Sequence, residues 1–171
     1  MVRGDPLDAK VLGSAVAGQE AVASCVGIRR AGKWPWAAML SPPDLTERVA
    51  RALVAAMTTH GVRRLVAVSG GGVAEGFGQL AWLVRKIVRS GNIAGQYRDL
   101  AKMEQVLAAS SLDWLAVRPV TLKNGKPSGK AHPVTRYRIT STIRRSDVAQ
   151  WMLKALEESG EFRERRVMIA G

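Results

Sequence analysis

Cysteine is all but missing from this sequence. Cys25 is the sole thiol, which excludes an internal disulfide framework and any multi-cysteine metal site. Histidine is nearly as scarce. His60 falls at a helix end, where a positive charge suits the dipole, and His132 lies in a basic loop without partners that would make it a metal ligand. No apolar run approaches the ~18 residues that a membrane span needs. No apolar segment follows the charged start Met1-Val2-Arg3-Gly4-Asp5, as a signal peptide would require. These absences favour a cytoplasmic protein with no metal, no disulfide and no membrane segment. Acidic side chains are few, 14 against 26 lysines and arginines, so the net charge is +12. Such an excess can attract nucleic acid, acidic lipid or a polyanionic cofactor. Here the cations are scattered, from Arg29-Arg30 through Arg63-Arg64 and Arg85-Lys86 to Arg144-Arg145. There is no zinc-finger spacing, no RNP-type aromatic motif and no heptad-linked basic helix. Distributed solvated charge is therefore favoured over nucleic-acid binding.

What is present is enough apolar content, 47% over 171 residues, for one domain spanning 1–171. Short β-rich runs alternate with amphipathic helical ones, the pattern of a parallel sheet with crossover helices. Residues 8–17 predict a short helix, and 21–26 a buried strand closed by Gly27. A loop with Trp34-Pro35-Trp36 and Pro42-Pro43 follows. A strong helix is predicted over 44–60, with Leu45, Val49, Leu53 and Met57 on one face and Gly61 as its C-terminal cap. Residues 65–69 form the clearest strand, ended by Gly70-Gly71-Gly72. Helices are predicted over 80–88 and 97–110, the second burying Leu100, Met103 and Leu107. Residues 113–118 make a strand that Pro119 stops. A polar excursion over 123–141 carries a short strand at 137–139. Ser146 is placed to cap a helix reaching Glu158, and 166–170 is a terminal strand.

The order of these segments resembles the atypical short-chain dehydrogenase/reductase class, the NAD(P)H-binding group holding NmrA-like proteins and biliverdin/flavin reductases. Arg3-Gly4-Asp5-Pro6-Leu7-Asp8 is similar to that family's turn after its third strand. Glu20 through Gly27 resembles its fourth strand and glycine. Gly61 through Ser69 resembles the passage into its fifth strand. Leu112-Asp113-Trp114 through Pro119 resembles its sixth strand, and Arg145-Ser146-Asp147 the start of its late helix. The resemblance implies a Rossmann-like, doubly wound parallel sheet with helices on both faces. It implies that Asp5 accepts from the adenine amino group, and that Val26, Gly27 and Ile28 pass beside the adenosine half. Ser69 would end a strand on the cofactor side, and Pro119, Val120 and Thr121 would wall the nicotinamide end. Residues 122–138 would form the substrate loop. Ser69 and Tyr97 are the candidate catalytic hydroxyls. Each residue has a plainer competitor: Asp5 and Asp8 as helix caps, Gly27 as a turn glycine, Ser69 as a strand-end hydroxyl, Tyr97 as packing.

Two departures from the family shape the expectation. The Tyr-x-x-x-Lys pair is broken, because Ala101 stands four places after Tyr97 and Lys102 is one place too far. On a helix that step turns the ammonium about 100° away. The Gly-rich turn that opens the family and holds pyrophosphate at a helix N-terminus is also absent, so the chain reads as N-terminally truncated, without the family's first two strands. The strand over Ala21 to Val26 is then expected at a sheet edge, free to self-associate. Three functions follow. The first is an NAD(P)H-dependent oxidoreductase passing hydride to a carbonyl, quinone or flavin-like acceptor, impaired in this chain. The second is a non-enzymatic NmrA-like dinucleotide sensor or binding module. The third, resting on charge alone, is a nucleic-acid-associated protein.

Overall fold

The computed structural model describes residues 1–171 apart from 33, 35, 80–81, 83–84, 87–92 and 139. Its order is α1 (Ala9–Val16), β1 (Ala21–Ser24), α2 (Leu45–Thr59), β2 (Arg64–Val68), a 3₁₀ segment (Ala74–Gln79) and α3 (Ile93–Ala108). Then come β3 (Asp113–Pro119), β4 (Thr121–Lys123), β5 (His132–Pro133), β6 (Thr142–Arg144), α4 (Arg145–Glu157) and β7 (Arg166–Ala170). The main sheet runs β1-β2-β3-β7-β5. Its first four strands are parallel, and β5 pairs antiparallel with β7. A second, two-stranded parallel sheet joins β4 to β6. Most of the helix expected over 80–88 lies outside the described residues.

The period-2 alternation of the strands explains the layers. Leu65, Ala67, Trp114 and Ala116 face a core shared with Val49, Leu53 and Met57 of α2 and Leu100, Met103 and Leu107 of α3. Val66, Leu115 and Val117 face the other way, against Val148, Met152 and Ala155 of α4. Both faces are thus covered by helices, as a parallel sheet demands.

Three helix ends show how local chemistry fixes the frame. Gly61 takes a positive φ of 71° after α2. Val62 N–H then bonds Met57 O at 2.9 Å and Gly61 N–H bonds Thr58 O at 3.3 Å, the double closure of a Schellman motif. The start of α2 is capped across space. Asp99 of α3, almost wholly buried, accepts from Thr46 N, Thr46 Oγ1 and Glu47 N at 2.9, 2.6 and 3.0 Å. Ser146 is not the cap of α4 expected from sequence. It lies inside the first turn, and its hydroxyl donates to Gly125 O at 2.8 Å, tying α4 to the preceding loop instead. Within the excursion over 123–141 β5 docks on β7, and at its two ends β4 and β6 pair with each other. Residues 137 and 138 form no strand like the one expected at 137–139, and 139 lies outside the described residues.

Candidate functional site

In open α/β sheets, ligands bind outside the carboxyl ends of the strands. Three of the segments singled out in the sequence meet there. Register pairs Ser24 with Ala67 and Val68 with Val117, so the residues after β1, β2 and β3 emerge side by side. The β2–β3 ladder continues past the strand end, with Ser69 N–H on Val117 O at 2.7 Å and Gly71 N–H on Pro119 O at 2.9 Å. Val120 N–H bonds Ile169 O at 3.1 Å, fastening the next strand end to the same edge. Val26–Ile28, Ser69–Gly71 and Pro119–Thr121 therefore form one continuous rim.

Along that rim, surroundings differ. A Cβ added to Gly27 would meet nothing within 4 Å, so the backbone there is open to an incoming group. Val26 and Ile28 are half-buried beside it. Gly71 is crowded: a Cβ would stand 3.0 Å from Tyr137 Cδ1 and 3.2 Å from Pro119 O. Pro119 and Val120 are buried and Thr121 is exposed. Tyr137 OH lies 2.7 Å from Thr121 Oγ1, so this phenol closes over the end of β2. Asp5 is exposed, its Oδ1 accepting from Leu7 N–H at 2.9 Å in a turn before α1. The cap of α1 is Asp8, which accepts from Lys10 and Val11 N–H.

Neither candidate hydroxyl is free. Ser69 is buried and its Oγ donates to Glu104 Oε1 at 2.6 Å. Tyr97 OH donates to Gly71 O at 2.8 Å. Burial, helped by the neighbouring Tyr137, pushes the Tyr97 phenol well above its ordinary range, so it stays protonated at neutral pH. Lys102 pairs with Glu47 at 3.4 Å, away from Tyr97's bond.

A buried charge network was not foreseen from the sequence. Glu104, with 1% of its side chain exposed, accepts from Arg118 Nε and Nη2 at 2.9 and 2.5 Å, from Arg166 Nε at 2.8 Å and from Ser69. Arg118 and Arg166 also meet Glu75 of the 3₁₀ segment, at 3.0 and 3.5 Å. Desolvation works against the Arg118 charge, but Glu104 and Glu75 outweigh it and hold the guanidinium more firmly protonated than usual. Glu104 occupies the buried stripe of α3 with Leu100, Met103 and Leu107. A carboxylate on an apolar face, together with an arginine inside the apolar run 113–119, was the available signal. A second network lies at the opposite strand ends, where Asp113 accepts from Arg64, Arg165 and Phe162 N–H. Among the described residues no group of His, Cys, Asp and Glu could hold a metal ion, and no helix is long and apolar enough to cross a membrane.

A mostly parallel sheet, helices on both faces and a rim of strand ends define a Rossmann-like α/β protein. The chain belongs to the NAD(P)H-binding family, whose sequence profile matches residues 1–159. No curated protein matches the sequence significantly. Among solved structures it is similar to ChuY, an anaerobillin reductase from Escherichia coli O157:H7. The two are 20% identical with a TM-score of 0.75, over 99% of this chain and 73% of that one. It is also similar to a short-chain dehydrogenase/reductase from Veillonella parvula DSM 2008 in complex with NADP, at 17% identity and a TM-score of 0.74. That match covers 98% of this chain and 70% of the other. A third likeness is to the oxidoreductase ylbE from Lactococcus lactis, at 15% identity and a TM-score of 0.70, over 99% and 70%. At such identities these likenesses speak for the fold.

Proposed function

We propose that this chain is an NAD(P)H-dependent reductase module, with the dinucleotide laid along the rim of β1, β2 and β3. The observation that carries it is the alignment of Val26–Ile28, Ser69–Gly71 and Pro119–Thr121 on one edge in a chain of the NAD(P)H-binding family. The open backbone at Gly27 suits a flat adenosine, and the exposed Asp5 carboxylate, with one oxygen already accepting from Leu7 N–H, would accept from the adenine amino group with the other. Buried Pro119 and Val120 suit the nicotinamide end. When bound, the cofactor supplies hydride, and the protein supplies orientation. The acceptor is a carbonyl, quinone or flavin-like ring at the nicotinamide end, with residues 122–138 as its loop. Ser69 and Tyr97 act as positioning residues, since each gives its proton to a protein oxygen. The proton delivered to the acceptor comes from solvent.

Affinity for the dinucleotide is modest in this proposal. Gly70–Gly72 leads into a 3₁₀ segment of six residues rather than a helix whose N-terminus could hold pyrophosphate. The exposed edge of β1, paired only with β2 among the described residues, also lets two copies associate. NADPH and NADH oxidation with quinone and flavin acceptors tests the assignment. Turnover that Asp5→Ala weakens through KM supports it, and no turnover with any acceptor would sink it.

The engaged hydroxyls favour one second reading, a non-enzymatic NmrA-like sensor that binds dinucleotide and passes its state to a partner. The stacked rings of Trp34 and Trp36, 6.2 Å apart and both about two-thirds exposed, would be its partner contact. Dinucleotide binding without turnover is its signature.

A further inference from the structure

Two tryptophans face solvent at the end of a short antiparallel hairpin. After Ile28 the chain runs out and back. Arg30 bridges Met39, Leu40 N–H bonds Arg29 O at 2.8 Å, and Ala31 N–H bonds Ala38 O at 2.9 Å. Ser41 Oγ closes the base by accepting from Arg29 N–H at 3.0 Å. At the turn, Trp34 O accepts twice, from Ala37 N–H at 3.0 Å and from Arg30 Nη1 at 3.2 Å. The rings of Trp34 and Trp36 stack within 18° of parallel, yet each stays about two-thirds exposed. Leu40, on the returning arm, is 60% exposed.

Folding alone does not explain this display. Rings left in water add little to the core, and an exposed apolar cluster marks a binding surface. Charge narrows the occupant. Residues 21–43 hold Arg29, Arg30 and Lys33 and no aspartate or glutamate. The Arg30 guanidinium bonds a carbonyl rather than a carboxylate. The same chemistry recurs before α3, where Trp82, Arg85 and Lys86 are exposed in a stretch, 76–98, that also lacks acids. The hairpin reaches the start of α3, with Met39 Cε 3.8 Å from where a Cβ on Gly95 would stand.

We propose that this hairpin docks the protein on an anionic lipid surface, with Trp34, Trp36 and Leu40 entering the headgroup layer and Arg29 and Arg30 meeting lipid phosphates. The contact is peripheral, carried by one turn and not by a spanning helix. Indole suits that layer, since it has an apolar body and one N–H for the wet side. Arginines beside it add attraction to anionic headgroups. Leu40 favours lipid over single-stranded nucleic acid, because an aliphatic chain offers no face on which a base can stack. The inference does not rest on the reductase proposal. The sensor reading gives the same rings to a protein partner, and binding to lipid with no other protein present separates the two.

Flotation with vesicles of phosphatidylcholine alone, and of equal parts phosphatidylcholine and phosphatidylglycerol, tests this without dinucleotide. The full chain should bind the mixed vesicles about tenfold tighter or more, with the gap narrowing as salt rises. Trp34→Ala/Trp36→Ala should weaken mixed-vesicle binding at least about tenfold, with an unchanged circular dichroism spectrum, and Trp34→Phe/Trp36→Phe should keep part of it. Arg29→Gln/Arg30→Gln should shrink the preference for the mixed vesicles. Lipids brominated on the acyl chain should quench the tryptophan fluorescence of the bound wild-type protein. No binding to mixed vesicles overturns the inference, and so does wild-type binding without quenching, whatever the variants do. Binding that the Trp34→Ala/Trp36→Ala variant retains in full also overturns it, by reducing the contact to net charge. Binding of a poly-dT oligonucleotide that needs both tryptophans, with no vesicle binding, overturns it in favour of base stacking.

Discussion

Replacing Glu104 by glutamine removes one negative charge from a buried position on α3 that touches the rim at Ser69. Four donors converge on that carboxylate: two from Arg118, one from Arg166 and the Ser69 hydroxyl. Arg118 has 6% of its side chain exposed, so water cannot replace the lost partner there, while Arg166 is one-third exposed and can turn outward. Removing one partner of a buried pair typically destabilises by about 3–5 kcal/mol. Glu75, still within 3.0 Å of Arg118, compensates in part, which places the expected loss at the lower end of that range, about 3 kcal/mol. At a urea slope of about 1–3 kcal/mol/M the unfolding midpoint should fall by roughly 1–3 M. Urea denaturation followed by circular dichroism reads this directly. Glu104→Gln/Arg118→Met should recover part of the loss, because it removes the orphaned charge as well. A Glu104→Gln variant destabilised by less than about 1 kcal/mol, or a double variant worse than the sum of its parts, would refute the claim that Glu104 neutralises a buried arginine.

Asp113 supplies a pH test. Burial pushes its carboxyl up, but bonds from Phe162 N–H, Arg64 and Arg165 outweigh this and hold it below the ordinary aspartate value. A depressed folded value contributes stability above the unfolded pKa of about 3.9, lost as pH falls through the folded value. Asp113→Asn should therefore flatten the acid limb of stability, and an unchanged limb would contradict the pairing. Tyr97→Phe should lose about 1 kcal/mol of stability with its bond to Gly71 O and keep turnover within about tenfold. A hundredfold loss, about 3 kcal/mol of transition-state stabilisation, would restore the phenol as a proton donor. For the β1 edge, amide exchange in residues 22–24 should slow as protein concentration rises, while 65–68 and 114–117 stay protected throughout. Equal protection of all three strands in a dilute monomer would count against self-association there.

The sheet was legible because its signals are redundant. Apolar runs at 21–26, 65–69, 113–118 and 166–170 are separated by amphipathic helices, and Gly61 stops α2 through a positive φ that favours glycine. The rim residues were implied by the family resemblance, and they meet because parallel strands bring their carboxyl ends together. What escaped was made by contacts distant in sequence. Asp99 caps a helix that starts 54 residues earlier, at Leu45. Ser146 found an acceptor in Gly125 rather than its own helix. Glu104 reads as a solvated helical glutamate until Arg118 and Arg166 are placed beside it, 14 and 62 residues away. The β4–β6 pair joins three-residue strands too short for periodicity to reveal.

In the proposed function the rim of β1, β2 and β3 holds the dinucleotide. Titration of isotope-labelled protein with NADP⁺, followed by backbone amide shifts, tests it without any acceptor. Saturable changes are expected at Val26, Gly27, Ile28, Ser69, Val120 and Thr121, with weaker affinity for Asp5→Ala. Changes confined to the far side of the molecule, around Trp151, Lys154 and Phe162, or none at saturating nucleotide, would contradict it.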